Sequence, residues 1–148
     1  MRRADGSAVP GARGRDRGNA VLEFIVVAVG LMLPLVFGVI ALAQMQSAVV
    51  GVSGAAEMAG RAYAHARSDL VGRFAAARSA AIAGRNHGLD IRPDEVRITC
   101  TGTCLAPGTG VAVSIDTIAH IGVGPLARDV PLHAGHGIVI DPFRQAPQ

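Results

Sequence analysis

From Phe24 to Ala43 the chain reads FIVVAVGLMLPLVFGVIALA, twenty residues without a charge. At about 1.5 Å per residue, a helix of that length covers about 30 Å, the hydrocarbon thickness of a bilayer. The stretch outruns the apolar core of a secretory signal, and it continues into Gln44-Met45-Gln46 with no small-residue cleavage signature. It is read as a single membrane-spanning helix. Pro34 falls in mid-span, where it would break a soluble helix but is accommodated as a kink in a membrane helix.

Charge sets the orientation. The chain has 148 residues and a formal charge of +3, and all its basic residues are Arg. Residues 1–18 hold Arg2, Arg3, Arg13, Arg15 and Arg17 against Asp5 and Asp16, which leaves +3; the other nine Arg meet nine carboxylates and leave zero. A basic arm abutting an apolar run keeps the N-terminus in the cytoplasm and exports the chain on the far side of the run. The expected location is therefore the cytoplasmic membrane, single-pass, with the C-terminal region extracytoplasmic and membrane lipid as a neighbour. The neutral body and an aromatic content of 3% argue against a nucleic-acid partner. The expected organisation is a basic cytoplasmic leader at 1–18, a transmembrane helix at 19–44, an exported helical segment at 45–88, and a small antiparallel β region with a C-terminal tail at 89–148.

Glu23 stands at the cytoplasmic mouth of the span, where an ionised carboxylate is either solvated at the interface near Arg17 or functional. Its surroundings read Arg17-Gly18-Asn19-Ala20-Val21-Leu22-Glu23-Phe24. A glycine, five residues ending in Glu, an aromatic and then a continuous apolar run resemble the type IV prepilin processing site. The resemblance implies a cut between Gly18 and Asn19 by a membrane-embedded prepilin peptidase on the cytoplasmic face. Glycine at the cut would leave an extended backbone unobstructed. Glu23 would become the fifth residue of the mature chain, able to pair with the new amine of a neighbouring subunit and fix axial register.

The likeness extends along residues 18–63, GNAVLEFIVVAVGLMLPLVFGVIALAQMQSAVVGVSGAAEMAGRAY, and more loosely to Thr99-Cys100 through Gly108 and to Asp141-Pro142-Phe143-Arg144. This stretch is similar to the TadE-like family, minor pseudopilins of the tight-adherence (Tad/Flp) pilus, in its actinobacterial branch. The resemblance implies a non-enzymatic protein that supports pilus assembly, with other pseudopilins or pilins and the inner-membrane assembly platform as partners. The rival reading is a single-pass anchored interaction domain unrelated to pili, its arm a topology signal alone.

Beyond the span, Met45, Val49, Val52, Ala56, Ala59, Tyr63, Ala66, Leu70 and Phe74 recur at helical spacing. Small residues four apart, Gly51/Ala55/Ala59 and Ala56/Gly60, would allow close packing, either on the chain's own domain or against another pilin-like helix. Ser68-Asp69 can cap a second helix and Asn86-His87-Gly88 can end one, so 45–87 is one helix or two. After Gly88 the period changes. Glu95–Cys100 and Gly110–Ile118 alternate like half-buried strands, with Ser114 and Asp116 on the solvent side, and Val130–Leu132 and Gly137–Ile140 could add short strands. The expected class is α+β, a long N-terminal helix followed by a small antiparallel sheet in a pilin-like plan.

Cys100 and Cys104 are the only cysteines. An oxidising exterior favours a disulfide. Four residues of extended strand would hold the Cα atoms about 13 Å apart, beyond the bridging limit of about 7 Å, so the bond requires Thr101-Gly102-Thr103 to turn. A metal site would need two of His120, His133 and His136 as well, at a spacing that matches no zinc finger. No metal or cofactor is expected. The chain carries no nucleophile elbow, phosphate loop or His-Glu-x-x-His, so no catalytic residues are assigned.

Overall fold

The computed structural model describes residues 16–143, with side chains from Ala20 onward. The Ala-, Val- and Leu-rich N-terminal sequence forms one continuous helix, Asp16–Ala64 (α1), of 49 residues, with Pro34 inside it. The chain divides into two compact units, one reaching to Gly38 and the other beginning at Val39. In the first, every Val, Leu, Ile, Met and Phe from Val21 to Gly38 is exposed, Phe24 by 73%. Among the described residues nothing covers these side chains, and the helix qualifies as a candidate membrane span. Such a surface is stable only in an apolar surrounding.

In the second unit α1 changes character. Its buried residues are small: Ala48, Val52, Ala55, Ala56 and Ala59, closed off by Tyr63. The chain leaves the helix after Ala64, and Asp69–Arg85 forms a second helix (α2). The Ser68 hydroxyl caps it by accepting from the Val71 N–H at 3.4 Å, and Asp69 places a carboxylate in the first turn, where the helix dipole favours it. Residues 45–87 are thus two helices. The apolar series read through Leu70 and Phe74 does not continue: both are exposed, because the break at 65–68 resets the helical phase. In its place α2 buries Gly72, Ala76, Ala80 and Gly84, one small residue per turn.

A 3₁₀ turn at Pro93–Glu95 leads into the sheet, Val96–Cys100 (β1), Gly110–Ile121 (β2) and Arg128–Val139 (β3), antiparallel and in the order β1-β2-β3. The two short strands expected near the C-terminus are one strand of 12 residues, and β2 runs three residues past Ile118. Tight hairpin pairing carries both strands along their full length, from Gly110↔Val139 to Ile121↔Arg128. Gly122 opens the hairpin turn with φ +119, and a Cβ there would lie 2.9 Å from the backbone of Leu126 and Ala127, so only glycine fits. One face of the sheet, with Ile98, Val111, Val113, Ile115, Ala119, Leu132 and Ala134, joins the small residues of α1 and α2 in a single core. Ser114 and Asp116 fall on the other face, Asp116 exposed.

The class is α+β: a long apolar N-terminal helix, a second helix and a small three-stranded antiparallel sheet.

Candidate functional site

Gly18 and Asn19 lie within the first turns of α1, where an extended backbone was expected at the cut. No proline interrupts residues 16–23, so the helix of the apolar run propagates back through them. Glu23 is exposed, and among the described residues it has no charged partner. Phe24 follows it, equally open, and Pro34 sits ten residues further along the same helix. The leader itself, apart from its last three residues, lies outside the described residues, as do Arg144 and the rest of the C-terminal tail.

Cys100 and Cys104 form a disulfide, with their Cα atoms 5.5 Å apart. The turn that the bond requires is present: the chain folds back over Thr101-Gly102-Thr103, and Thr101 bonds Gly110 through backbone and side chain. Directly after it Leu105 adopts a left-handed backbone (φ 64) while its side chain is buried in the core. Both sulfurs being bonded to each other, the Cys–His metal set is not assembled. His133 Nδ1 lies 2.6 Å from Asp116 Oδ1, and His120 pairs with Asp129, each across β2 and β3.

Sequence reading missed the polar cluster behind the disulfide. Tyr63 is fully buried, and its hydroxyl donates to Asp69 Oδ1 at 2.5 Å while lying 3.8 Å from Cys100 Sγ. Arg73 Nε donates to the other carboxylate oxygen at 2.9 Å. Burial, then the bond to Asp69 and its negative charge, push the Tyr63 phenol up to about 12. The Arg73 and Tyr63 hydrogen bonds hold Asp69 below its ordinary value, and Asp69 in turn raises Arg73. The available signal was the Ser-Asp cap four residues before an arginine, which puts Asp69 and Arg73 on one helix face. The Tyr63 partner was not foreseeable, since it depends on the angle at which the chain turns between the helices.

On the solvent face an open groove of about 430 Å³ is lined by Arg92, Glu95, Arg97, Asp116, Ile118 and His133. It mixes charges of both signs, which suits hydrogen bonding more than attraction of a single-sign ligand. Ser47 Oγ meets His87 Nδ1 at 3.3 Å, but among the described residues no carboxylate bonds His87 to orient it. The Gly51/Ala55/Ala59 stripe is buried within its own unit, so those residues pack on the chain's own core.

No family model, curated protein or solved structure matches the chain.

Proposed function

We propose that the chain is a TadE-like minor pseudopilin, a non-enzymatic protein of the cytoplasmic membrane that supports assembly of a Tad/Flp-type surface pilus. The observation that carries the reading is the exposed carboxylate of Glu23, five residues after Gly18, at the start of an apolar stretch whose large side chains are exposed from Val21 to Gly38. The basic arm holds the N-terminus inside, the prepilin peptidase cuts after Gly18, and Phe24–Ala43 retains the mature chain in the bilayer. The new amine on Asn19 of one subunit then meets Glu23 of another pilin or pseudopilin. In a low-dielectric surrounding that pairing offsets the cost of burying either charge alone, which makes register selective. The two-helix and sheet body, stapled by Cys100–Cys104, faces the oxidising exterior and the assembly platform's other subunits.

N-terminal mass spectrometry of the membrane-isolated protein tests this. The expected mature chain begins at Asn19. A chain still carrying the leader in cells that contain the peptidase would refute the processing step, leaving a generic anchored domain. Gly18→Asp should block the cut and leave the precursor in the membrane.

A further inference from the structure

The turn joining β2 to β3, Ile121-Gly122-Val123-Gly124-Pro125-Leu126-Ala127, has no charged residue. Its side chains are not folded inward: Val123 is 45% exposed and Leu126 63%. An apolar hairpin tip in water is unusual, since tips are where polar turn residues normally sit. Its position explains the composition. The Gly122 N–H donates to the side-chain oxygen of Gln44 at 2.7 Å. Gln44 is the first residue after the apolar run that ends at Ala43. That bond fixes the tip at the level where α1 passes from apolar to polar sequence. The body meets α1 even earlier: Ile40 and Ala41 are half-buried, and the compact unit containing the sheet begins at Val39, inside the apolar run.

We infer that the β2–β3 turn is a second membrane contact, inserting Val123, Pro125 and Leu126 into the outer leaflet of the bilayer that α1 crosses. The inference rests on the reading of Phe24–Ala43 as a membrane span. The residues flanking the tip suit a headgroup layer. Arg128 follows it directly, opposite Ile121, and among the described residues has no ion-pair partner, so its guanidinium is available to lipid phosphate. One pair further from the tip, His120 and Asp129 satisfy each other across the strands. The gradient from aliphatic tip to lone cation to hydrogen-bonded His–Asp pair is that of an interfacial segment. Two attachment points in place of one would fix the tilt of the body on the membrane, and with it the direction in which the solvent face of the sheet presents its groove.

The test uses the full chain in phosphatidylcholine–phosphatidylglycerol vesicles. Both native cysteines are in the disulfide, so a single introduced thiol takes an environment-sensitive fluorophore. Three variants are compared: Leu126→Cys at the tip, Val36→Cys in the span, and Phe143→Cys beyond the far end of β3. Nitroxide on the acyl carbons nearest the headgroup should quench the tip probe severalfold more than the Phe143 probe, and aqueous iodide should do the reverse. Deep-placed nitroxide should quench the Val36 probe. If the span probe is quenched by lipid while the tip probe behaves like Phe143, the turn stays in water and the inference is overturned. If the span probe itself is reached by iodide and not by lipid, the span reading fails and takes the turn with it.

Discussion

Tyr63→Phe isolates the buried polar cluster, because the composition makes Tyr63 the only side chain that titrates in alkaline solution. The chain has one Tyr and no Lys, and both cysteines are disulfide-bonded, so between about pH 9 and pH 12 nothing else but the guanidiniums remains. Below pH 9 the variant loses a hydrogen bond to a carboxylate, worth about 1.5–3 kcal/mol, but Asp69 keeps its bond to Arg73 and reaches water, so the net cost is about 1–2 kcal/mol. The pH dependence carries the opposite sign. The folded phenol ionises near 12 and the unfolded phenol near its ordinary 10.0, so in that window the unfolded state has released the proton that the folded state retains. Stability of the parent therefore falls as pH rises, by about 1.4 kcal/mol per unit and about 3 kcal/mol in all, while the variant shows no such fall. The two denaturation midpoints should converge and cross near pH 11. Chemical denaturation in detergent at a series of pH values reads the stability, and phenolate absorbance reads the ionisation directly. A phenol that titrates at its ordinary value in the folded protein, or parallel pH curves for parent and variant, would refute the account of the cluster.

Opening the disulfide by Cys100→Ser with Cys104→Ser should cost about 2 kcal/mol from the short loop it closes, measured as a lower denaturation midpoint, with thiol labelling of the parent only after reduction. Gly72→Ala places a methyl group 2.8 Å from the Tyr63 ring, and overpacking at that site should cost about 1–3 kcal/mol while lowering the alkaline ionisation point of Tyr63 as the ring is displaced. Leu105→Ala should cost about 2–5 kcal/mol through the cavity it leaves, with no backbone relief at its left-handed position because alanine keeps the Cβ, read by the same denaturation. Glu23→Gln should leave the stability of the body unchanged, since Glu23 lies outside the compact unit that holds it, while abolishing assembly in a pilus-formation assay if pairing of the carboxylate with an amine sets register.

Much of this fold was legible because its signals are local. The apolar run of α1, the Ser68 cap and the alternation in β1 and β2 each depend on neighbours within one element. The middle of β3 was obscured because Gly135 and Gly137 dilute the alternation, so its ends read as two short strands, and only the hairpin register reveals one long strand. That register was available: pairing about the Gly122–Ala127 turn sets His133 opposite Asp116 and His120 opposite Asp129. Leu70 and Phe74 misled because periodicity alone does not report a phase reset between two helices. The Tyr63–Asp69–Cys100 cluster needs three elements in their final places, and no pattern in one of them encodes it.

The two parts of α1 differ in the size and burial of their side chains. Up to Val39 its side chains are large and open on all sides, which suits lipid tails that conform to any shape. From Ala48 to Ala59 the buried positions are Ala48, Gly51, Val52, Ala55, Ala56 and Ala59, all small, which brings the backbone close to the core and lets a body of modest size enclose it. Leucine at Ala55 or Ala59, both fully buried, would force the sheet off the helix. The transition between the two lies at Ile40–Gln44, where the apolar run still continues but the body has begun to cover one face. A helix that only tethered a separate domain would need no such overlap. If Phe24–Ala43 is the membrane span proposed above, substitutions at Ile40 or Gln44, which lie inside the unit that holds the sheet, should alter the attachment of the body more than equal changes at Val29 or Val36.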